Sequence, residues 1–248
     1  LVDAKRGHTA EEVVEAVARL KKRGMTVGVQ LLPGLKGETW DTILETAIAV
    51  VKLEPDFVRI YPVLVIENTE LADQYRAGEY EPLSTDQAIQ YCAFLKEWFE
   101  EHNIEVIRTG LQSTDELDSG DSLLAGPYEP AMGELVVNEQ FKQRIERCFD
   151  EHFSESALGD QYTYNFSPLS NHYSHKDKCR THANNTDRLM KHRIVISYPR
   201  SLTSKVRGLK NRNILYFQEA YPQFNIEWCE DSTRNTVRCC IDGLQYVL

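Results

Sequence analysis

Within the first 110 residues, three amphipathic helical stretches alternate with three short apolar runs, and no other feature restricts the fold as strongly. Thr9 followed by Glu12 is a capping-box pattern, and Val13, Ala16, Val17 and Leu20 then recur on one helical face. Gly24 suits the helix end, and VGVQLL (27–32) reads as a short strand followed by the turn-rich loop PGLKGE. Trp40, Ile43, Leu44, Ala47, Ile48 and Val51 form a second helical stripe that stops before Pro55. FVRIYPVLVI (57–66) reads as a second strand, apolar enough to be covered on both faces. Ser84 with Gln87 caps a third helix through His102, with Ala88, Tyr91, Leu95, Trp98 and Phe99 inward, and IEVIRTGL follows as a strand. Helices and strands alternating at this spacing predict βα units and a parallel sheet, hence an α/β fold. Chemistry in such sheets sits at the carboxyl ends of strands, here Leu32-Pro33-Gly34 and Tyr61-Pro62. The same residues could equally serve only to turn the chain into the next helix.

Beyond this region the pattern changes. Residues 111–133 are loop-like and rich in Gly, Asp and Pro. A helix is predicted from Glu134 to about Phe153, with Val137, Phe141, Ile145, Cys148 and Phe149 on one face. From Ser154 to Asp187 the chain is polar and aperiodic, which marks a linker. Inside it, His172, His175, Cys179 and His182 form an array that zinc could use. Their spacing matches no finger pattern, and polar linkers collect histidines by chance. The last segment reads as strand (193–199), a short helix from Ser201, the turn VRGLKNRNI (206–214), a second helix carrying Ile214, Phe217 and Ala220, and two strands, FNIEW and TVRCCI. The expected organisation is thus 1–110, 111–153, a linker at 154–190, and a small α+β domain at 191–248.

The 248 residues, 42% of them hydrophobic, suffice for one large domain or two ordinary ones. No run of about 18 apolar residues occurs, so a membrane partner is not expected. The net charge of −10 argues against nucleic acid meeting the whole surface, but the charge is uneven. Residues 191–248 hold nine Lys and Arg against five Asp and Glu, a net of +4, whereas the first 190 residues carry −14. A basic tail behind an acidic body suits local contact with phosphates. The six cysteines form no Cys-x-x-Cys pair and read as reduced thiols of a cytoplasmic protein.

Taken together, RGHT, GVQLLPGLKGET, PDFVRIYPVLVIENTELA and GEYEPLSTDQA resemble the radical S-adenosylmethionine (SAM) enzymes. The nearest branch is that of the Elongator catalytic subunit, with the oxygen-independent coproporphyrinogen oxidases more distant. The resemblance covers about residues 1–137 and includes RTGLQST and AGPYEPAMGELV of that branch's C-terminal extension. It implies the C-terminal part of a partial (β/α)6 barrel, cut inside the barrel, whose preceding half would supply the first strands and the three-cysteine loop for a 4Fe–4S cluster. No Cys-x3-Cys-x2-Cys occurs in this sequence, so the chain by itself is expected to be inactive and to hold no complete cofactor site. Some SAM contacts are implied residue by residue. Arg6 would face the SAM carboxylate, a guanidinium fork being suited to that group. Gln30 would bond the ribose hydroxyls, where the coproporphyrinogen oxidases carry an acidic residue. Leu32 and Pro33 would flank the adenine, and Tyr61 would line the strand-end cavity.

The tail resembles a K homology (KH) domain, whose signature runs V-I-G-x-x-G-x-x-I. Val206, Gly208 and Ile214 match it, Asn211 stands at the second glycine, and Arg207 replaces an apolar residue. Asn enters left-handed turns more readily than most residues. Such a turn lets an RNA backbone approach closely, with Lys205, Lys210 and Arg212 adding charge. The leading expectation is therefore part of an Elongator-like radical SAM enzyme acting on tRNA or another RNA through residues 191–248. No acetyltransferase-like segment follows the barrel part, which puts an acetyl-derived product in doubt. Two alternatives are a radical SAM enzyme acting on a small molecule such as a porphyrinogen, and a non-enzymatic RNA-binding or scaffold protein.

Overall fold

The computed structural model describes residues 5–120, 122–156 and 192–248, and the chain divides into two compact units, 1–137 and 138–248. Nearly all of the expected linker, with His172, His175, Cys179 and His182, lies outside the described residues.

In the first unit, helix α1 (Ala10–Lys22) starts at Thr9, whose hydroxyl accepts from the Glu12 N–H while the Glu12 carboxylate accepts from the Thr9 N–H. This reciprocal cap satisfies two backbone donors that a helix start leaves free. Strand β1 (Gly28–Leu31) leads to α2 (Trp40–Leu53), capped by Thr39 and Thr42, and then to β2 (Phe57–Ile60). After β3 (Val65–Ile66) and α3 (Glu70–Arg76), helix α4 (Thr85–Glu101) runs from the Ser84–Gln87 cap to β4 (Glu105–Thr109). The three-stranded sheet has the order β1-β2-β4 and is parallel throughout. Val29, Leu31, Val58 and Ile60 pack with Ile43, Ala47 and Val50 of α2 and with Ala88, Cys92, Leu95 and Phe99 of α4 in one core. Burying each large side chain contributes roughly 1.5–3 kcal/mol. The sheet is small and open, in a mixed α/β fold.

The expected strand 57–66 is two strands. Pro62 has no N–H for the ladder, and β3 leaves the parallel sheet to pair antiparallel with β5 (Leu123–Ala125). Nor is β2 covered on both faces, because Arg59 is exposed. The loop-like stretch 111–133 holds β5 and a short helix α5 (Asp115–Ser119) capped by Thr114.

Helix α6 (Met132–Ser156) contains the boundary between the units. The second unit continues with β6 (Arg193–Tyr198), α7 (Thr203–Arg207), α8 (Arg212–Ala220), β7 (Asn225–Glu230), β8 (Arg238–Ile241) and β9 (Leu244–Val247). Its sheet order is β7-β6-β8-β9. The two helices carry the chain back across the sheet, so β7 lies parallel to β6, while β8 and β9 are antiparallel. Ile194, Ile196 and Tyr198 alternate inward along β6 and are fully buried. Phe149 of α6 meets Phe217, Tyr221 and Phe224 edge-on at 5.6, 5.3 and 5.7 Å. Edge-to-face contacts of this kind suit the ring quadrupoles.

Candidate functional site

Two places gather the residues singled out by the sequence. The first is the carboxyl end of β1 and β2. The ladder continues past both strands, with the Tyr61 N–H donating to Leu31 O and the Val63 N–H donating to Pro33 O, both at 2.9 Å. Leu32 and Pro33 therefore run beside Tyr61 and Pro62. Pro33 and Gly34 are buried, and Leu32 and Tyr61 are half-buried. The loop is pinned at Gly34 from two sides. Its N–H donates to the Glu38 carboxylate, and its carbonyl accepts from Tyr80 Oη at 2.7 Å. Burial raises the Glu38 carboxyl above its ordinary range, against the opposing pull of the Gly34 N–H. Burial, with the nearby Glu38 charge, also pushes the Tyr80 phenol up to about 12, so it remains a donor.

Gln30 lies on the sheet face opposite the core, exposed, and its side chain has no hydrogen-bond partner among the described residues. Arg6 is exposed in the segment before α1, next to Lys5, which pairs with Glu70. Among the described residues no hydrogen bond or ion pair joins Arg6 to β1 or β2, whereas Gln30, Leu32, Pro33 and Tyr61 share one end of one sheet. Glu38 and Tyr80 were missed by sequence reading, although a Glu four residues after Gly34 was visible.

The second place is the turn between α7 and α8. Gly208 adopts φ 79°, ψ 155°, a region essentially reserved for glycine, and an added Cβ would stand 3.0 Å from the Asn213 nitrogen. Lys210 and Asn211 follow with φ 54° and 62°, two consecutive left-handed residues. Two buried asparagines hold this conformation. Asn138 Nδ2 donates to the Ser204 and Lys205 carbonyls, each at 3.1 Å, and its Oδ1 accepts from the Leu209 N–H at 2.9 Å. Asn213 Nδ2 donates to the carbonyls of Asn138 at 2.8 Å and Val206 at 3.0 Å. Lys205, Lys210, Asn211 and Arg212 are exposed around the turn, while Val206 and Gly208 are buried. A rigid, positively charged turn with close backbone access is suited to a phosphate chain. Asn138 and Asn213 escaped the sequence reading because nothing local ties residue 138 to residue 209.

Among the described residues, no group of three His, Cys, Asp or Glu is placed to hold a metal ion. Cys92, Cys148 and Cys239 are buried, and burial pushes the Cys92 thiol up, away from the thiolate that a metal ligand requires. No helix among the described residues is long and apolar enough to cross a membrane.

Comparison with known proteins gives matches over part of the chain. Residues 55–143 match the family described as the Radical_SAM C-terminal domain. The tRNA uridine(34) acetyltransferase of Methanocaldococcus jannaschii is 37% identical over 95 residues, which is 37% of this chain and 18% of that protein. Elongator complex protein 3 of Bos taurus is 29% identical over 94 residues, 37% of this chain and 17% of that protein. A solved structure of the archaeal Methanocaldococcus infernus Elp3 with an N-terminal deletion aligns with TM-score 0.48 and 28% identity, over 56% of this chain and 32% of that one. The matched stretch thus spans under a fifth of the first of these relatives. The chain resembles Elongator-like radical SAM proteins and carries a C-terminal part of that kind.

Proposed function

We propose that the chain is part of an Elongator-like radical SAM enzyme that modifies tRNA or another RNA in the cytoplasm. Its first unit gives one wall of the SAM site, and the KH-like turn at 206–214 docks the RNA. The observation that carries this reading is where the family match falls. Residues 55–143 include β2 and β4, and β1 pairs with β2 in register, which sets Gln30, Leu32, Pro33 and Tyr61 at one strand end.

The residues present fit the two cofactors differently. For SAM they fit. Gln30 offers an unengaged amide to hydroxyls, Leu32 and Pro33 an apolar edge for a base, and Tyr61 a side wall. Arg6, exposed and without a hydrogen bond or ion pair to that strand end among the described residues, would have to reach it to meet the carboxylate. In this family bound SAM supplies hydrogen-atom abstraction. The chain's own contribution is to orient that group, because Glu38 and Tyr80 fix the Gly34 loop against which it would lie. For the 4Fe–4S cluster they do not fit. The sequence has no Cys-x3-Cys-x2-Cys, so its thiolate ligands would have to come from outside these 248 residues.

RNA affinity is the test. The whole chain should bind a short single-stranded RNA at low salt, and Lys210→Glu/Arg212→Glu should weaken that binding at least tenfold. If wild type binds no RNA, or the reversed variant binds equally well, docking is wrong and the small-molecule reading moves ahead.

A further inference from the structure

The sheet face that carries Gln30 also carries two arginines that the reading above leaves without a role. Register places Gln30 opposite Arg59, and Arg59 opposite Arg108, on three adjacent parallel strands. A bulge after Val58 is what aligns Arg59 with Arg108 and leaves Ile107 as the extra residue. Neighbouring strands lie roughly 4.8 Å apart, so the backbones of Arg59 and Arg108 stand side by side and bring two exposed arginines to adjacent positions. Like charges directly opposite one another weaken a sheet. Among the described residues neither arginine has a hydrogen-bond or ion-pair partner, although both are exposed. Glu105, on the same face opposite Phe57, forms no ion pair with either. Arg59 instead lies over the Phe57 ring at 5.7 Å, and that ring fills the space beside Gly28, where a Cβ would come within 2.1 Å of it. Stacking on a ring steadies a guanidinium while leaving its N–H fork unused.

We infer that Arg59 and Arg108, flanked by Gln30, form an oxyanion site on this face, and that its occupant is a phosphodiester of the substrate. This rests on the RNA reading above. Two exposed guanidinium forks at adjacent register positions, beside an amide, suit the bidentate contacts by which arginine takes phosphate. A nucleotide brought against the strand ends for chemistry also brings its own phosphate to this face.

The test uses the whole chain and a 12-nucleotide single-stranded RNA, with affinity measured by fluorescence anisotropy across a salt series. Arg59→Gln/Arg108→Gln should keep the fold, because both side chains are exposed, and should lose about tenfold in affinity. Its salt slope should be shallower by roughly 0.7 for each lost contact. Arg59→Lys, which keeps the charge and loses the fork, should fall between the two. Should wild type and the Lys210→Glu/Arg212→Glu variant differ while the double Gln variant matches wild type in affinity and slope, this site is wrong and the RNA reading survives. Wild type without RNA affinity would overturn both. If the double Gln variant changes the binding of SAM but not of RNA, the occupant is the cofactor carboxylate and the phosphodiester assignment fails.

Discussion

One buried amide, Asn138, holds both limbs of the turn at Gly208, donating to Ser204 and Lys205 and accepting from Leu209. It is only 1% exposed, and truncation would take the partner from three part-buried backbone groups. Leaving buried partners unpaired costs about 1–3 kcal/mol for each group fully stranded, and the turn can relax part of that. Asn138→Ala should therefore destabilise the turn by about 2–4 kcal/mol, read as exchange of the Leu209 amide roughly thirtyfold to several hundredfold faster. Unchanged Leu209 protection would show that the turn keeps its shape without the latch. A second residue on α6 should report pH. Burial, then the charges of Glu146 and Glu151, raises Asp150 to about 6 from 3.8. The folded state thus binds more protons than the unfolded state between those values, and stability falls as pH rises through that window. Asp150→Asn removes the ionisation. It should stabilise the second unit by about 1 kcal/mol at pH 8, allowing for water around a half-buried group, and by nothing near pH 4. Amide exchange in β6 at the two pH values measures it. An equal effect at both would deny the ionisation any part.

Among the elements, those written in local pattern were legible. Thr9, Thr39 and Ser84 each cap a helix where the sequence places one, and Ala88, Tyr91, Leu95 and Phe99 turn inward as their spacing demands. Others were not foreseen, α3, α5 and β5 among them, and two cases show different reasons. The strand expected over 57–66 is broken after Ile60, next to the Tyr61-Pro62 pair at which the sequence also set a strand end, and the apolar residues beyond Pro62 concealed that they belong to a second sheet. Strand β9 follows Asp242-Gly243, whose φ values of 49° and 94° are those of a two-residue hairpin turn, and the Asp-Gly pair was its visible sign. The Arg59–Arg108 row was not legible at all, since it depends on cross-strand register and on a bulge. Gly28 offers a test of that packing. Phe57 occupies the space where a Cβ would sit, so Gly28→Ala must displace the ring or part the strands. Overpacking of this kind costs about 1–3 kcal/mol. Lost protection of the Tyr61 amide, which bonds Leu31 O across this pair, would report it; full retention would show that the ring swings away freely.

At the scale of the molecule, charge is the quantity that separates the two ends of the chain. Residues 191–248 carry +4 within a total of −10, so the first 190 carry −14. An acidic body repels a polyanion at long range, and any RNA contact must be made where cations cluster. Salt dependence counts those contacts, because each phosphate neutralised on a single strand contributes roughly 0.7 to the slope of log affinity against log salt. The turn offers Lys205, Lys210 and Arg212, and the sheet face offers Arg59 and Arg108. Engagement of the turn alone predicts a slope of roughly −2, of the sheet face alone roughly −1.4, and of both roughly −3.5. The expected outcome for the whole chain is the steepest of the three, falling to roughly −2 in Arg59→Gln/Arg108→Gln. A wild-type slope near zero would mean that any RNA held is not held by phosphate contacts. One much steeper than −3.5 would place further cations in the interface than these five.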